Sequence, residues 1–420
     1  MSLPITKVIG NAIPISTDYP GIPYTSEQSQ VQGQLQGQKL SFEKSHEHKH
    51  CDKCHDKHDK CDKCKGECKD QCYRRPYYNP DLKNPFDVKQ IDGRLFVSST
   101  NNGKLLIMRE DGKPVSSVDI YSSGRAVNPY GVVPNNREAT LNLKEDGVVP
   151  TSTDKLFVPL TNPYGQLEAS TAIVIEGTTG PQGYVPGISP DSTLPAISSD
   201  GNFRGAITAR GKQDDLLSHI NLIANFGVPI TPGDNGIVAY DPKNFAPTTL
   251  PDFLIDPNFA IGNLYRAYTL SQSPHGKQKI YVVHNYADED LNPIPGFGRV
   301  SLYDTNGGYL KSISDKHLSA PVGAVELVVK GRKIAVVANK GDGKLRLYDV
   351  KTTDYLGSVK RYDGKPLVIP GINSITEKIQ PQYEGRDSHE NEHKRTLLFT
   401  SYDPVKLYSY VGELKLDFGH

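Results

Sequence analysis

The chain has no tryptophan, only two methionines and, outside the stretch from Cys51 to Cys72, no cysteine among its 420 residues. Thiols confined to one short stretch cannot cross-link a core through dispersed disulfides, and no cysteine elsewhere can act as a nucleophile. Net charge is also absent: 48 Lys and Arg balance 48 Asp and Glu. Without an overall field to steer association, neither nucleic acid nor an anionic membrane is expected as a partner. The N-terminal stretch MSLPITKVIGNAIPISTDYPGIPY carries repeated Pro and Gly and no uninterrupted apolar run that could serve as an export leader or a membrane span. A cytoplasmic or virion-associated protein is therefore expected rather than one secreted by the standard route. G-x-S-x-G and a phosphate-binding glycine loop are missing as well, which removes two common catalytic signatures.

What is plentiful is Gly (38), Pro (31) and Tyr (23), a composition suited to many short strands joined by tight turns. Three regions follow one another. Residues 1–42 include the Gln-rich SEQSQVQGQLQGQ, offer little to pack and read as a flexible or assembly-ordered arm. Residues 43–75 are densely and evenly charged and hold every cysteine. From residue 76 to 420 short apolar runs alternate with Gly, Asn and Asp.

That third region repeats itself. NPFDVKQIDGRLFVSSTNNGKLLIMREDGKPV from Asn84 returns as APVGAVELVVKGRKIAVVANKGDGKLRLYDV from Ala320, and weaker copies start near Asn128, His219, Gln278 and Arg395. Runs such as Ile280 to His284 and Ile334 to Ala338 are β-branched and too short for helices. Asn306-Gly307, Asp342-Gly343 and Asp363-Gly364 supply the positive φ of hairpin turns. Six such units predict an all-β, six-bladed β-propeller preceded by the extended arm and the Cys/His-rich tract, with loop insertions around 177–200 and 379–393. Closure of the ring is expected to bring residues near Leu95 to Ser98 and Leu414 to Leu416 into one blade.

The stretches NPDLKNPFDV from Asn79, GFGRVSLYDTNGGYLKSISDKHLSAPVGAV from Gly296 and VANKGDGKLRLYDVKTTDYLGSVKRYDGKPLVIPGI from Val337 resemble an uncharacterised, mostly bacterial and exported family of six-bladed β-propellers, over residues 80–418. The family's Trp after the Pro is replaced here by Phe86 and Val322. The resemblance implies a fold and no activity, and the lack of an export leader suits a viral or otherwise non-exported structural offshoot.

The tract reads Cys51-x2-Cys54-x6-Cys61-x2-Cys64-x3-Cys68-x3-Cys72, interleaved with His50, His55 and His58. Two C-x2-C pairs can share a tetrahedral Zn²⁺, which takes thiolate and imidazole ligands at about 2.0 to 2.3 Å. Alternatively, Cys51, Cys54, His58, Cys61, Cys68 and Cys72 would form one stripe on a helix, facing a second copy for disulfide or metal linkage. Cys51-Asp52-Lys53-Cys54-His55 satisfies the haem-attachment pattern, but a tract this dense in Cys and His makes that match by chance, and haem is not expected.

Catalysis is not expected. The acidic run Asp288-Glu289-Asp290 reads as a solvated loop, a Ca²⁺ site would need oxygens converging from several blades, His284 reads as a core histidine, and Asp342 as turn chemistry. The sequence thus predicts a non-enzymatic, self-assembling propeller whose partner is itself, as an oligomer or filament, linked by the arm and tract. The alternative is a monomeric propeller that binds a ligand or protein and carries a zinc-binding appendage; a metal-dependent hydrolase is the third reading.

Overall fold

In a computed structural model the chain is an all-β propeller. The structure describes residues 8–19, 76–91, 93–122, 125–126, 128–129, 133–134, 155–161, 171–180, 183–193, 203–209, 215–217, 220–227, 235–240, 247–248, 254–258, 265–273, 278–288, 293–378, 393–403 and 405–419, with the backbone alone at 91, 121–193, 208 and 247–248. Residues 1–22 and 76–420 form the propeller unit, and 23–75 a second unit that lies outside the described residues.

Among the described residues six sheets of four or five strands, antiparallel except at Tyr77–Tyr78, succeed one another: 85–119, 128–193, 203–248, 265–313, 321–358, and 372–417 completed by 9–17 and 77–78. We number them blades 1 to 6; blade 2 is the one described by backbone only. Except in blade 2, the first strand of each blade is its innermost: Pro85–Ile91, Phe203–Thr208, Tyr265–Gln272, Pro321–Val329 and Ile372–Glu377. These inner strands lie side by side around the ring.

Burial explains why the strands read as they do. Asn221–Asn225 is buried at every position and Ile280–Tyr286 at all but its last, because neighbouring blades cover both faces. Such strands appear in sequence as continuous apolar runs. The outermost strands Pro114–Asp119 and Tyr355–Ser358 are largely exposed or half-buried and correspondingly polar. Between blades, Tyr281, Val283, Val300 and Leu302 meet Ala335 and Val337 in one apolar layer. Leu398 and Val411 of blade 6 pack with Val88, Leu95 and Leu106 of blade 1 in another. Each fully buried Leu, Ile or Val contributes about 2 kcal/mol.

Three sequence expectations need correction. Leu95 to Ser98 and Leu414 to Leu416 do not share a blade: the former lie in Arg94–Ser99 of blade 1, the latter in Tyr408–Asp417 of blade 6. Closure is made instead by Ile9–Thr17, which the sequence assigns to the arm. It pairs antiparallel with Tyr408–Asp417 from Ile9↔Asp417 to Thr17↔Tyr410. Its alternating burial is that of a strand with one covered face, and its register shifts between Pro14 and Ser16, where a proline is tolerated. Lastly, 177–193 is no loop: Thr171–Gly180 and Gly183–Thr193 pair as long strands of blade 2, with register shifts absorbing their Gly and Pro.

The hairpin glycines behave as expected, with φ of 82° at Gly307, 66° at Gly343 and 82° at Gly364. Gly371 is more tightly constrained. Its φ is 63°, and a Cβ there would lie 1.7 Å from the Tyr402 carbonyl oxygen, while Tyr402 N–H donates to the Gly371 carbonyl at 2.9 Å. Gly371→Ala is expected to cost about 3 kcal/mol, read as a lower urea midpoint with an unchanged slope.

Candidate functional site

Two places collect chemistry. The first is the seam beside the closing strand. The closing strand is followed by Asp18 and Tyr19, and the short strand Tyr77–Tyr78 lies parallel to it with Ser16↔Tyr77 and Thr17↔Tyr78 in register. Asn79 N–H donates to the Thr17 carbonyl at 2.8 Å and Ser16 Oγ to the Tyr77 carbonyl at 3.3 Å. Asp18 accepts from Ser409 N–H at 2.9 Å and pairs with Lys83 at 3.1 Å. Residues 16–19 and 77–79 are thus fastened side by side at the edge of the closing blade. The sequence-predicted ligands Cys51, Cys54, Cys61, Cys64, Cys68, Cys72, His50, His55 and His58 belong to the intervening stretch and lie outside the described residues.

The second place is the mouth of the central channel, where the inner strands begin. Each described inner strand has a register shift near its start, at Pro85/Val88, Arg204/Ala206, Ala267/Thr269, Pro321/Gly323 and Ile372/Ser374. Phe86, Tyr268, Val322 and Asn373 fall within these shifts. Such bulges re-aim side chains. Phe86 and Tyr268 come from blades 1 and 4, on opposite sides of the ring, yet their ring centroids are 5.8 Å apart. Phe226 meets Tyr268 edge-on at 5.0 Å, and Val322 joins the same buried cluster. At this level the axis is filled by apolar side chains.

Cations gather around that plug. Gly205 lets blade 3 press on blade 4, since a Cβ there would lie 2.1 Å from Thr269 Oγ1, and the adjacent Arg204 places its guanidinium carbon 5.5 Å from the Phe86 ring centroid and 5.9 Å from that of Tyr268. Lys340, in the hairpin after Arg332–Asn339 of blade 5, donates through Nζ to Asn373 Oδ1 at 2.8 Å. Asn373 Nδ2 in turn donates to the Pro85 carbonyl at 2.8 Å and to Asn84 Oδ1 at 3.2 Å, which fixes the direction of its oxygen. The surrounding protein, and then the Arg204 charge, push the Lys340 ammonium down to about 8.

The remaining sequence candidates resolve simply. His284 is 1 % exposed inside the second strand of blade 4, and burial pushes its imidazole down to about 3. An enclosed ring that is neutral at physiological pH is a core group, as expected. Asp342 accepts Lys344 N–H at 3.1 Å and pairs with Arg346, which is turn chemistry. Of the acidic run only Asp288 is described. Among the described residues no three His, Cys, Asp or Glu side chains are grouped as a metal site, and no helix is long and apolar enough to cross a membrane. Sequence reading missed Arg204, Lys340 and Asn373 altogether.

No family model matches the chain, and no curated protein matches it. Solved structures similar to it include a protein of unknown function from Bacteroides caccae (11% identity, 75% of this chain and 84% of that one, TM-score 0.41). A second is the PQQ-bound aldose sugar dehydrogenase from Streptomyces coelicolor (11% identity, 80% and 95% coverage, TM-score 0.40). A third is a luciferin-regenerating enzyme (14% identity, 80% and 92% coverage, TM-score 0.41).

Proposed function

We propose that the chain is a non-enzymatic structural protein, a propeller subunit that self-assembles through its Cys/His segment. Cys51, Cys54, Cys61, Cys64, Cys68 and Cys72, with His50, His55 and His58, hold Zn²⁺ or form disulfides that join copies. The observation that carries this reading is the seam: both ends of the segment are hydrogen-bonded at adjacent points on the outermost strands of the closing blade. A link made there is fastened at both ends to the propeller's rim. The segment itself is charged and poor in core-forming residues, so ordering it alone is costly, whereas metal or a second copy supplies the missing free energy.

The apolar plug of Phe86 and Tyr268 on the axis supports the non-enzymatic half of the proposal, because it offers no oxygen ligands at that level. The three stretches from Asn79, Gly296 and Val337 support descent from the uncharacterised exported propellers as a viral or non-exported branch.

Native mass spectrometry of the full chain tests the assembly, with chelator and with reductant in separate arms. Large species that fall to monomer on chelation point to a metal link, and those that fall on reduction point to disulfides. A monomer before either treatment removes the proposal.

A further inference from the structure

We propose that the channel mouth is a binding site for a small oxyanion, a carboxylate or a phosphate, held between Lys340 and Arg204. This rests on the channel geometry and is independent of the Cys/His segment.

Cations from blades 3 and 5 stand beside the same turn of blade 1: Lys340 reaches it through Asn373, which bonds the Pro85 carbonyl, and Arg204 lies over the ring of the next residue, Phe86. Bringing cations together in a partly enclosed space is unfavourable unless something offsets it. For Arg204 the π faces of Phe86 and Tyr268 offset part of the cost. For Lys340 the hydrogen-bond partner is the neutral oxygen of Asn373, and among the described residues no carboxylate pairs with it. Lys340 as a whole is nonetheless an exposed residue. An oxyanion placed there accepts charge-assisted hydrogen bonds from both cations and relieves their repulsion.

The surroundings are fixed before any ligand arrives. Lys340 N–H donates to the Ala320 carbonyl at 2.9 Å and Gly341 N–H to the Ser319 carbonyl at 3.0 Å, which pins the hairpin to the start of blade 5. Asn373 is 1 % exposed and held by blade 1 through Pro85 and Asn84, so its amide positions the Lys340 ammonium. The aromatic plug below closes the floor. A ligand therefore sits at the mouth and does not pass through.

The test uses the full chain with its lysines ¹³C-methylated, titrated with inorganic phosphate and, separately, with citrate. The Lys340 resonance should titrate near 8 in the free protein. An anion beside an ammonium favours its charged form, so the midpoint should rise by about one unit at about 10 mM of the bound anion. Calorimetry should show affinity falling at least about tenfold in Lys340→Met and Arg204→Gln, holding in Lys340→Arg, and unchanged in the exposed control Lys415→Met of blade 6. Binding should weaken as pH rises above the Lys340 midpoint. A response to phosphate alone or to citrate alone assigns the ligand class. No heat and an unmoved Lys340 resonance with both anions, or equal affinity in both neutralising variants at unchanged melting temperature, overturns the proposal.

Discussion

Disrupting the closing strand should lower the unfolding free energy of the propeller by about 5 kcal/mol, and its melting temperature by about 5 to 10 °C. Ile9–Thr17 supplies a ladder along nearly the whole of Tyr408–Asp417 and turns Gly10, Ala12, Pro14 and Ser16 inward. Ala12 is 5% exposed and belongs to the cluster that includes Leu367, Leu414 and Leu416. At Gly10 even a methyl group would meet Val359 at 2.5 Å. Ala12→Asp puts an unpaired carboxylate into this layer, where a charge without a partner costs several kcal/mol. Deleting residues 1–19 goes further, because it bares the N–H and C=O groups of Tyr408–Asp417 as an open edge and should add aggregation to instability. Urea unfolding and light scattering read the two effects separately. If Ala12→Asp leaves the midpoint unchanged, the strand does not close the ring.

Asp256→Ala should be comparably damaging, at about 3 to 5 kcal/mol. The Asp256 carboxylate is fully buried and accepts from Arg299 Nε at 2.7 Å, Ser301 Oγ at 2.7 Å, Ser312 Oγ at 2.6 Å and Asn258 N–H at 2.9 Å. Removing it leaves Arg299 without that charge partner. Burial alone would raise this carboxyl, but the bonds from Ser301, Ser312 and Asn258 outweigh it and hold the group below its usual value. A depressed carboxyl contributes stability that is complete above its unfolded value of 3.8 and is lost as pH falls through the lower folded value.

His284 acts in a different window. Its folded value of about 3 lies below the unfolded 6.5, so the unfolded chain alone takes up a proton as pH falls between them. Stability should drop by about 3 kcal/mol between about pH 7 and about pH 4. The Asp256→Ala protein should keep that slope and lose only part of the steepening at lower pH. A variant as stable as the parent at neutral pH would show that the network contributes nothing net.

The propeller is legible in the sequence because its strands are short apolar runs punctuated by turn chemistry that the backbone then adopts, as at Gly307, Gly343 and Gly364. The closing strand is hidden because Gly10 and Pro14 give IGNAIPIST the look of its Pro-rich surroundings, and its partner lies some 400 residues away, from Ile9 to Asp417. Blade 2 shows in the sequence only as its unit from Asn128; its long pair Thr171–Gly180 and Gly183–Thr193 is hidden because Gly177, Gly180 and Pro186 interrupt it.

The channel cluster is the hardest to foresee. Arg204, Lys340 and Asn373 share no local spacing, and only ring closure brings Asn373 to Pro85. A faint signal exists in the repeats: Phe86 follows Asn84-Pro85 as Val322 follows Ala320-Pro321, and Asn373 occupies the corresponding place after Gly371-Ile372. Aligning the starts of the units would have put these three in register. Phe86 and Val322, each directly after the Pro at the start of its unit, both reach the plug, which links the repeat pattern to the site.

The central claim is that the Cys/His segment joins copies of the propeller, and the most direct test compares the full chain with a variant in which all six cysteines are serine. Metal content per chain and native mass are measured on both, at equal concentration. The account predicts metal or disulfide in the parent, a multimeric mass, and a metal-free monomer for the variant with an unchanged melting temperature. Equal masses for the two proteins, whatever their metal content, would contradict it.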